Sequence, residues 1–142
     1  MRKLIFACVC AVMVAALSVP AMAEPARGSN VLCYLWANQA TSAIGVPYTP
    51  STTYSFNAVI KTNANTVTRT AVGTYSVTCK GVGGQGWGAG GHVQVTAYGG
   101  EDADQCKVVS WVTGGADFTT TVRCFNHQGA LSDNRFDLLF VW

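Results

Sequence analysis

Cys106-Lys-Val-Val-Ser-Trp-Val-Thr113, then Gly114-Gly-Ala-Asp117, then Phe118-Thr-Thr-Thr-Val-Arg-Cys-Phe125: two β-branched and aromatic runs flank a turn-forming tetrapeptide. Such a pattern reads as a β-hairpin. Folded about its turn, the hairpin sets Val112 against Phe118, Ser110 against Thr120, Val108 against Val122 and Cys106 against Cys124. Opposed strand residues have Cβ atoms about 4.5–5.5 Å apart, and twist brings such a pair within disulfide range. Register and cysteine spacing agree, so a Cys106–Cys124 bridge is expected.

The same period-two alternation extends outward from this hairpin. Val31–Ala37, Thr53–Ile60, Thr66–Thr70, Thr74–Lys80, His92–Tyr98 and Phe136–Trp142 all carry it, and no segment has a helical period. With the hairpin this makes about eight short strands separated by Gly, Asn, Ser and Pro clusters. The expected fold is all-β: a two-sheet antiparallel sandwich of jelly-roll or immunoglobulin-like type. Val93, Val95 and Ala97 alternate with polar neighbours. Pairing that strand with the next sets Ala97 beside Cys106 and Val95 beside Val108. Tyr75, Val77 and Cys79, with Phe136, Leu138, Phe140 and Trp142, complete the expected core.

Met1-Arg-Lys3, the apolar run Leu4–Leu17 and Ser18-Val-Pro-Ala-Met-Ala23 form the three parts of a secretory signal peptide. Cleavage is expected after Ala23, leaving a single domain over residues 24–142 that is secreted to the periplasm or the exterior. The run is shorter than the roughly 20 residues a membrane span needs. Cys8 and Cys10 sit inside it, where they cannot serve as a lipid-anchored first residue. Four cysteines remain, and an even number in an exported chain points to two disulfides. With Cys106–Cys124 assigned by register, elimination pairs Cys33 with Cys79. In the chain-entropy picture the two bridges contribute about 3 and about 4 kcal/mol respectively.

Arg2 and Lys3 leave with the leader, so the nine basic residues fall to seven and balance the seven acidic ones. A neutral domain lacks the basic footprint of a nucleic-acid binder. Its partner, a protein or a glycan surface, must be held by apolar area and stacking. The non-core side of the hairpin supplies candidates: Lys107, Trp111, Arg123 and Phe125, with Tyr98 nearby. If Cys33 points inward, Tyr34 and Trp36 point outward as well. Trp87, in the Gly-rich segment 81–91, is the remaining candidate. The bland alternative packs Trp111 under a neighbouring segment and folds Trp87 back over the sandwich.

Catalytic and metal chemistry find little support. There is no Gly-x-Ser-x-Gly elbow and no His-Glu-x-x-His. No Cys-x-x-Cys occurs, and only His92 and His127 could add nitrogen ligands to a zinc site. Glu101, Asp102 and Asp104 form an acidic hairpin tip without the helix-flanked calcium loop. A carboxylate pair drawn from this tip with Asp133 or Asp137 is the residual glycosidase reading. No metal or cofactor is expected. The aromatic-ended strand Phe136–Trp142 resembles the last strand of an outer-membrane barrel, but several strands are shorter than the roughly 9–11 residues such a barrel uses.

Gly73-x-Tyr75-x-Val77, Val93-Gln-Val-Thr-Ala-Tyr-Gly99, Cys106-Lys-Val-Val-Ser-Trp111, Val122-Arg-Cys-Phe-Asn126 and Asp133-x-Arg135-Phe136 together resemble a loosely described set of secreted bacterial β domains, sometimes found in tandem. The resemblance spans about residues 31–142. It implies export, a β fold and the Cys106–Cys124 bridge, and brings no established activity. Cys33 and Cys79 stand where that set has aromatic or apolar residues, which implies a bridge added in this branch. Tyr54-x-Phe56-Asn57 with the aromatic C-terminal strand is faintly similar to complement-type jelly-roll heads. The resulting expectation is a secreted, non-catalytic binding or interaction module. The competing classes are a small secreted hydrolase or glycan-active enzyme, and a structural envelope or matrix component.

Overall fold

A computed structural model describes residues 31–61, 64–84, 90–99, 103–113 and 115–142. Alternating burial along each strand separates two sheets. The first has the order β3-β1-β9-β6, built from β1 (Val31–Ala37), β3 (Ser55–Asn57), β6 (His92–Ala97) and β9 (Phe136–Val141). The second has the order β2-β4-β5-β8-β7, built from β2 (Pro47–Tyr48), β4 (Asn65–Ala71), β5 (Thr74–Cys79), β7 (Gln105–Val112) and β8 (Phe118–Phe125). All pairings are antiparallel. The fold is the two-sheet sandwich that the alternation implied.

The core lies between the sheets. Cys33, Leu35, Ala37, Phe136, Leu138 and Phe140 project from one side, and Val67, Tyr75, Val77, Phe118 and Val122 from the other, all fully buried. Phe118 and Phe140 stack across the layers with centroids 4.1 Å apart, and Tyr75 meets Phe136 edge-on at 5.2 Å. Each such ring contributes about 2–3 kcal/mol by leaving water. The Cys33–Cys79 bridge ties β1 to β5, and so crosses between the sheets. Cys106–Cys124 links neighbouring strands within the second sheet. The aromatic-ended β9 occupies a central position, between β1 and β6, with its apolar side turned inward.

Three local expectations are corrected. First, β6 does not pair with β7. It pairs with β9, setting Ala97 against Phe136 and Val95 against Leu138, not against Cys106 and Val108. The connection after β6 changes sheets, so the two strands lie side by side in different layers. Second, the β7–β8 register holds only from Cys106 to Val108. An irregularity between Val108 and Ser110 shifts it by one, so Ser110 faces Thr121, Trp111 faces Thr120 and Val112 faces Thr119. A bulge inserts one residue on an edge strand, and everything beyond it changes face. Third, the Thr53–Ile60 run is mostly not strand: Thr52–Tyr54 form a 3-10 turn, and only Ser55–Asn57 pair with β1. The two-residue β2, with Pro47 at a sheet edge, is an additional strand.

Two asparagines hold that short β3 in place. Asn57, in β3, and Asn65, in β4, are both buried, and Asn57 Nδ2 donates to Asn65 Oδ1 at 3.1 Å and to the Lys80 carbonyl at 3.0 Å. Asn65 Nδ2 donates to the Phe56 carbonyl at 2.9 Å. Asn57 Oδ1 accepts from the N–H groups of Val59 and Ile60, each at 2.9 Å. These bonds clamp one sheet to the other and fix the backbone that carries Tyr54 and Phe56.

Candidate functional site

Because Cys33, Leu35 and Ala37 point inward, period-two geometry turns Tyr34 and Trp36 to the outer face of the four-stranded sheet. Phe56 lies opposite Tyr34 in register, and the two rings stack with centroids 5.7 Å apart. The 3-10 turn delivers Tyr54 next to Trp36. The Tyr98 backbone N–H donates to the Arg135 carbonyl at 2.9 Å, which places Tyr98 on the other flank of β9. Tyr54 and Tyr98 each stand nearly perpendicular to the Trp36 ring, at 82° and 80°, with centroids 5.6 Å away. More than half of each tyrosine is exposed, 58% and 52%. The indole N–H of Trp36 is buried without a partner among the described residues, so packing holds that ring.

Asp137 completes the corner. It sits on β9, in register with Trp36 on one side and Thr96 on the other. Trp36, Tyr54, Tyr98 and Asp137 line a pocket of about 360 Å3. Through Tyr54 and Asp137 it continues into a groove of about 320 Å3 bordered by Tyr34, Gln94, Thr96 and Leu139. Partial desolvation raises the Asp137 carboxyl pKa above the usual aspartate value. Among the described residues no hydrogen-bond donor or cation pairs with it. Volumes of this order match the lower end of small-molecule sites.

The residues singled out from the sequence do not form one site. Tyr98 belongs to the corner just described. Lys107 and Arg123 oppose one another on the outer face of the five-stranded sheet, on the other side of the sandwich, and the Lys107 Nζ lies 5.3 Å from the centroid of Phe125. Trp111 leaves that outer face: past the bulge it lies opposite the buried Thr120, on the inward side of the edge strand β7 at the sandwich rim, where its Nε1 donates to the Gly90 carbonyl at 3.1 Å. It remains 44% exposed. Trp87 lies outside the described residues. The grouping of Tyr98 with Trp111 rested on a β6–β7 pairing that the chain does not make.

Tyr34 and Trp36 do face outward, as the inward Cys33 implied. Sequence reasoning missed Tyr54 and Asp137 as members of one site. The available signal for Asp137 was a lone acid on the outward beat of the apolar strand Phe136-Asp-Leu-Leu-Phe140. No comparable signal marked Tyr54, whose position depends on the 3-10 turn.

Of the acidic candidates for hydrolysis, Asp104 and Asp133 are bonded to other side chains. Glu101 and Asp102 lie outside the described residues, and Asp104 accepts from Asn134 Nδ2 at 2.6 Å. Asp133 is bound by Arg69. Among the described residues, no three His, Cys, Asp or Glu side chains group as a metal site. No helix there is long and apolar enough to cross a membrane, either. No protein-family model, curated protein or solved structure matches the chain.

Proposed function

We propose that the chain is an exported, non-catalytic binding domain that holds its ligand on the outer face of the four-stranded sheet. The observation that carries this reading is Trp36 flanked by the half-exposed Tyr54 and Tyr98, beside a groove walled by Tyr34, Gln94 and Thr96. Rings offer large contact area with few rotatable bonds, so little entropy is lost on binding. That suits a domain whose charges balance and which exerts little long-range pull. Two disulfides suit an oxidising compartment outside the cytosol. The leader-like residues 1–23 argue for the same address.

The partner is a glycan or an exported protein or small molecule offering apolar surface. Glycan and peptide arrays probed with the purified protein and with Trp36→Ala test the reading. The expected result is retention of at least one ligand class by the wild type and its loss in the variant, with the far-ultraviolet circular dichroism unchanged. Ligands that survive Trp36→Ala but are lost on Lys107→Ala with Arg123→Ala would move the site to the opposite face and overturn it.

A further inference from the structure

The corner has a chemistry more specific than a generic aromatic surface. Tyr54 and Tyr98 each stand nearly perpendicular to Trp36, so the three rings wall a pocket; they do not form the flat platform on which a sugar ring stacks best. The fourth wall is the Asp137 carboxylate, which has no partner among the described residues. Among the described residues, no cation lines the pocket. Arg135, two residues before it, donates to the Gly99 carbonyl at 2.7 Å and does not line the pocket. Arg69 is paired with Asp133, and Lys107 and Arg123 lie on the other side of the sandwich. An unpaired anion beside ring faces calls for a positive charge that also carries apolar bulk. A bare ammonium keeps its water too strongly to enter; an alkylated one does not, and it gains from the negative ring faces as well.

We propose that the corner of Trp36, Tyr54, Tyr98 and Asp137 binds a quaternary ammonium group of the choline type, free or as a lipid headgroup. This deepens the reading of the four-stranded face as a binding surface and rests on it. The rings surround the methyl groups by cation–π contact. Asp137 balances the charge, and the adjoining groove accommodates whatever the ammonium carries.

The test titrates the purified protein with choline chloride and with its neutral isostere 3,3-dimethyl-1-butanol, following indole and backbone N–H resonances by NMR. Choline is expected to saturate, with shifts centred on Trp36, Tyr98 and Asp137, and to bind at least tenfold more tightly than the alcohol. Asp137→Asn is expected to weaken choline at least tenfold while leaving the alcohol within twofold. That variant changes one exposed side chain, so its fold is not at risk. Co-sedimentation with phosphatidylcholine vesicles, against phosphatidylglycerol vesicles as control, assigns a lipid source; saturation by free choline without vesicle binding assigns a soluble one. Equal affinity for choline and the alcohol, or no saturable shift at these residues, overturns the proposal. If choline is silent while an array ligand is lost on Trp36→Ala, the ammonium inference fails and the binding face stands.

Discussion

Arg69 and Asp133 lie 64 positions apart in the chain and meet in a two-pronged ion pair, with the guanidinium Nε donating to Oδ1 at 2.9 Å and a terminal nitrogen donating to Oδ2. Asp133 Oδ1 also accepts the Gly73 N–H at 2.8 Å. Beside it, the Tyr75 hydroxyl donates to the Ala40 carbonyl at 2.9 Å and accepts from the Asn134 N–H at 3.1 Å. This node joins the β4–β5 turn to the entry of β9 and to the loop after β1. It gives Asp133 a structural task. Burial and the Asp133 charge push the Tyr75 phenol pKa well up, so it stays a neutral donor.

Asp133→Asn should therefore destabilise the fold at neutral pH, because it removes the carboxylate that Arg69, the Gly73 N–H and the Tyr75 hydroxyl share. Burial alone would raise the Asp133 pKa, but Arg69 and the Gly73 N–H more than offset it, and the net shift is downward. A lowered carboxyl pKa adds stability above the unfolded value of about 4 and loses it as pH falls through the folded value. Urea unfolding from pH 7 to pH 2 should show this acid loss in the wild type and a shallower one in the variant.

Gly73 sits at φ +62, and a Cβ there would come within 2.7 Å of both the Cys124 carbonyl oxygen and the Ser132 nitrogen. Gly73→Ala should cost about 3 kcal/mol or more, combining left-handed strain with a backbone collision. Gly45, at φ +78 with open space around it, isolates the strain alone. Gly45→Ala should cost about 1 kcal/mol. Comparable losses in thermal melts would show that the collision relaxes.

The disulfides should differ in value. Cys33–Cys79 closes a separation of 46 residues and Cys106–Cys124 one of 18. Replacing both cysteines of the first pair by alanine should cost about 4 kcal/mol, and of the second about 3 kcal/mol. Peptide mapping without reduction checks the pairing, and denaturant unfolding checks the order.

Trp111→Ala should cost about 2 kcal/mol, less than the roughly 3–5 kcal/mol of a fully buried ring. The ring is nearly half exposed, and one hydrogen bond to Gly90 is lost. A loss above that range would mean that the rim position closes over the core.

Asp137→Asn should leave stability within about 0.5 kcal/mol of the wild type at pH 7, or slightly above it. Desolvation raises this carboxyl, so ionising it weakens the fold as pH rises through its folded pKa. The small advantage of the variant should vanish below about pH 4, where the wild-type carboxyl is protonated in both states. Paired melts at pH 7 and pH 3 measure it.

Period-two alternation was enough to identify most strands and their inward residues, since a half-buried strand must alternate whatever its neighbours. Cys106 opposite Cys124 was readable from the matched spacing of the two cysteines about the turn, even though the register next to the turn is shifted by one beyond the bulge. Cys33–Cys79 followed by elimination. Alternation says which residues share a side of a strand, not which sheet the strand joins. Only the tertiary structure pairs β6 with β9, and that pairing carries Tyr98 away from Trp111 and brings it to Trp36. Nor does alternation register a bulge, because Val109 fits the β-branched pattern and still turns Trp111 to the rim. The corner of Trp36, Tyr54, Tyr98 and Asp137 draws on four separate segments. Contacts so distant along the chain are selected by the packing of two whole sheets, a choice to which no local run of residues is sensitive.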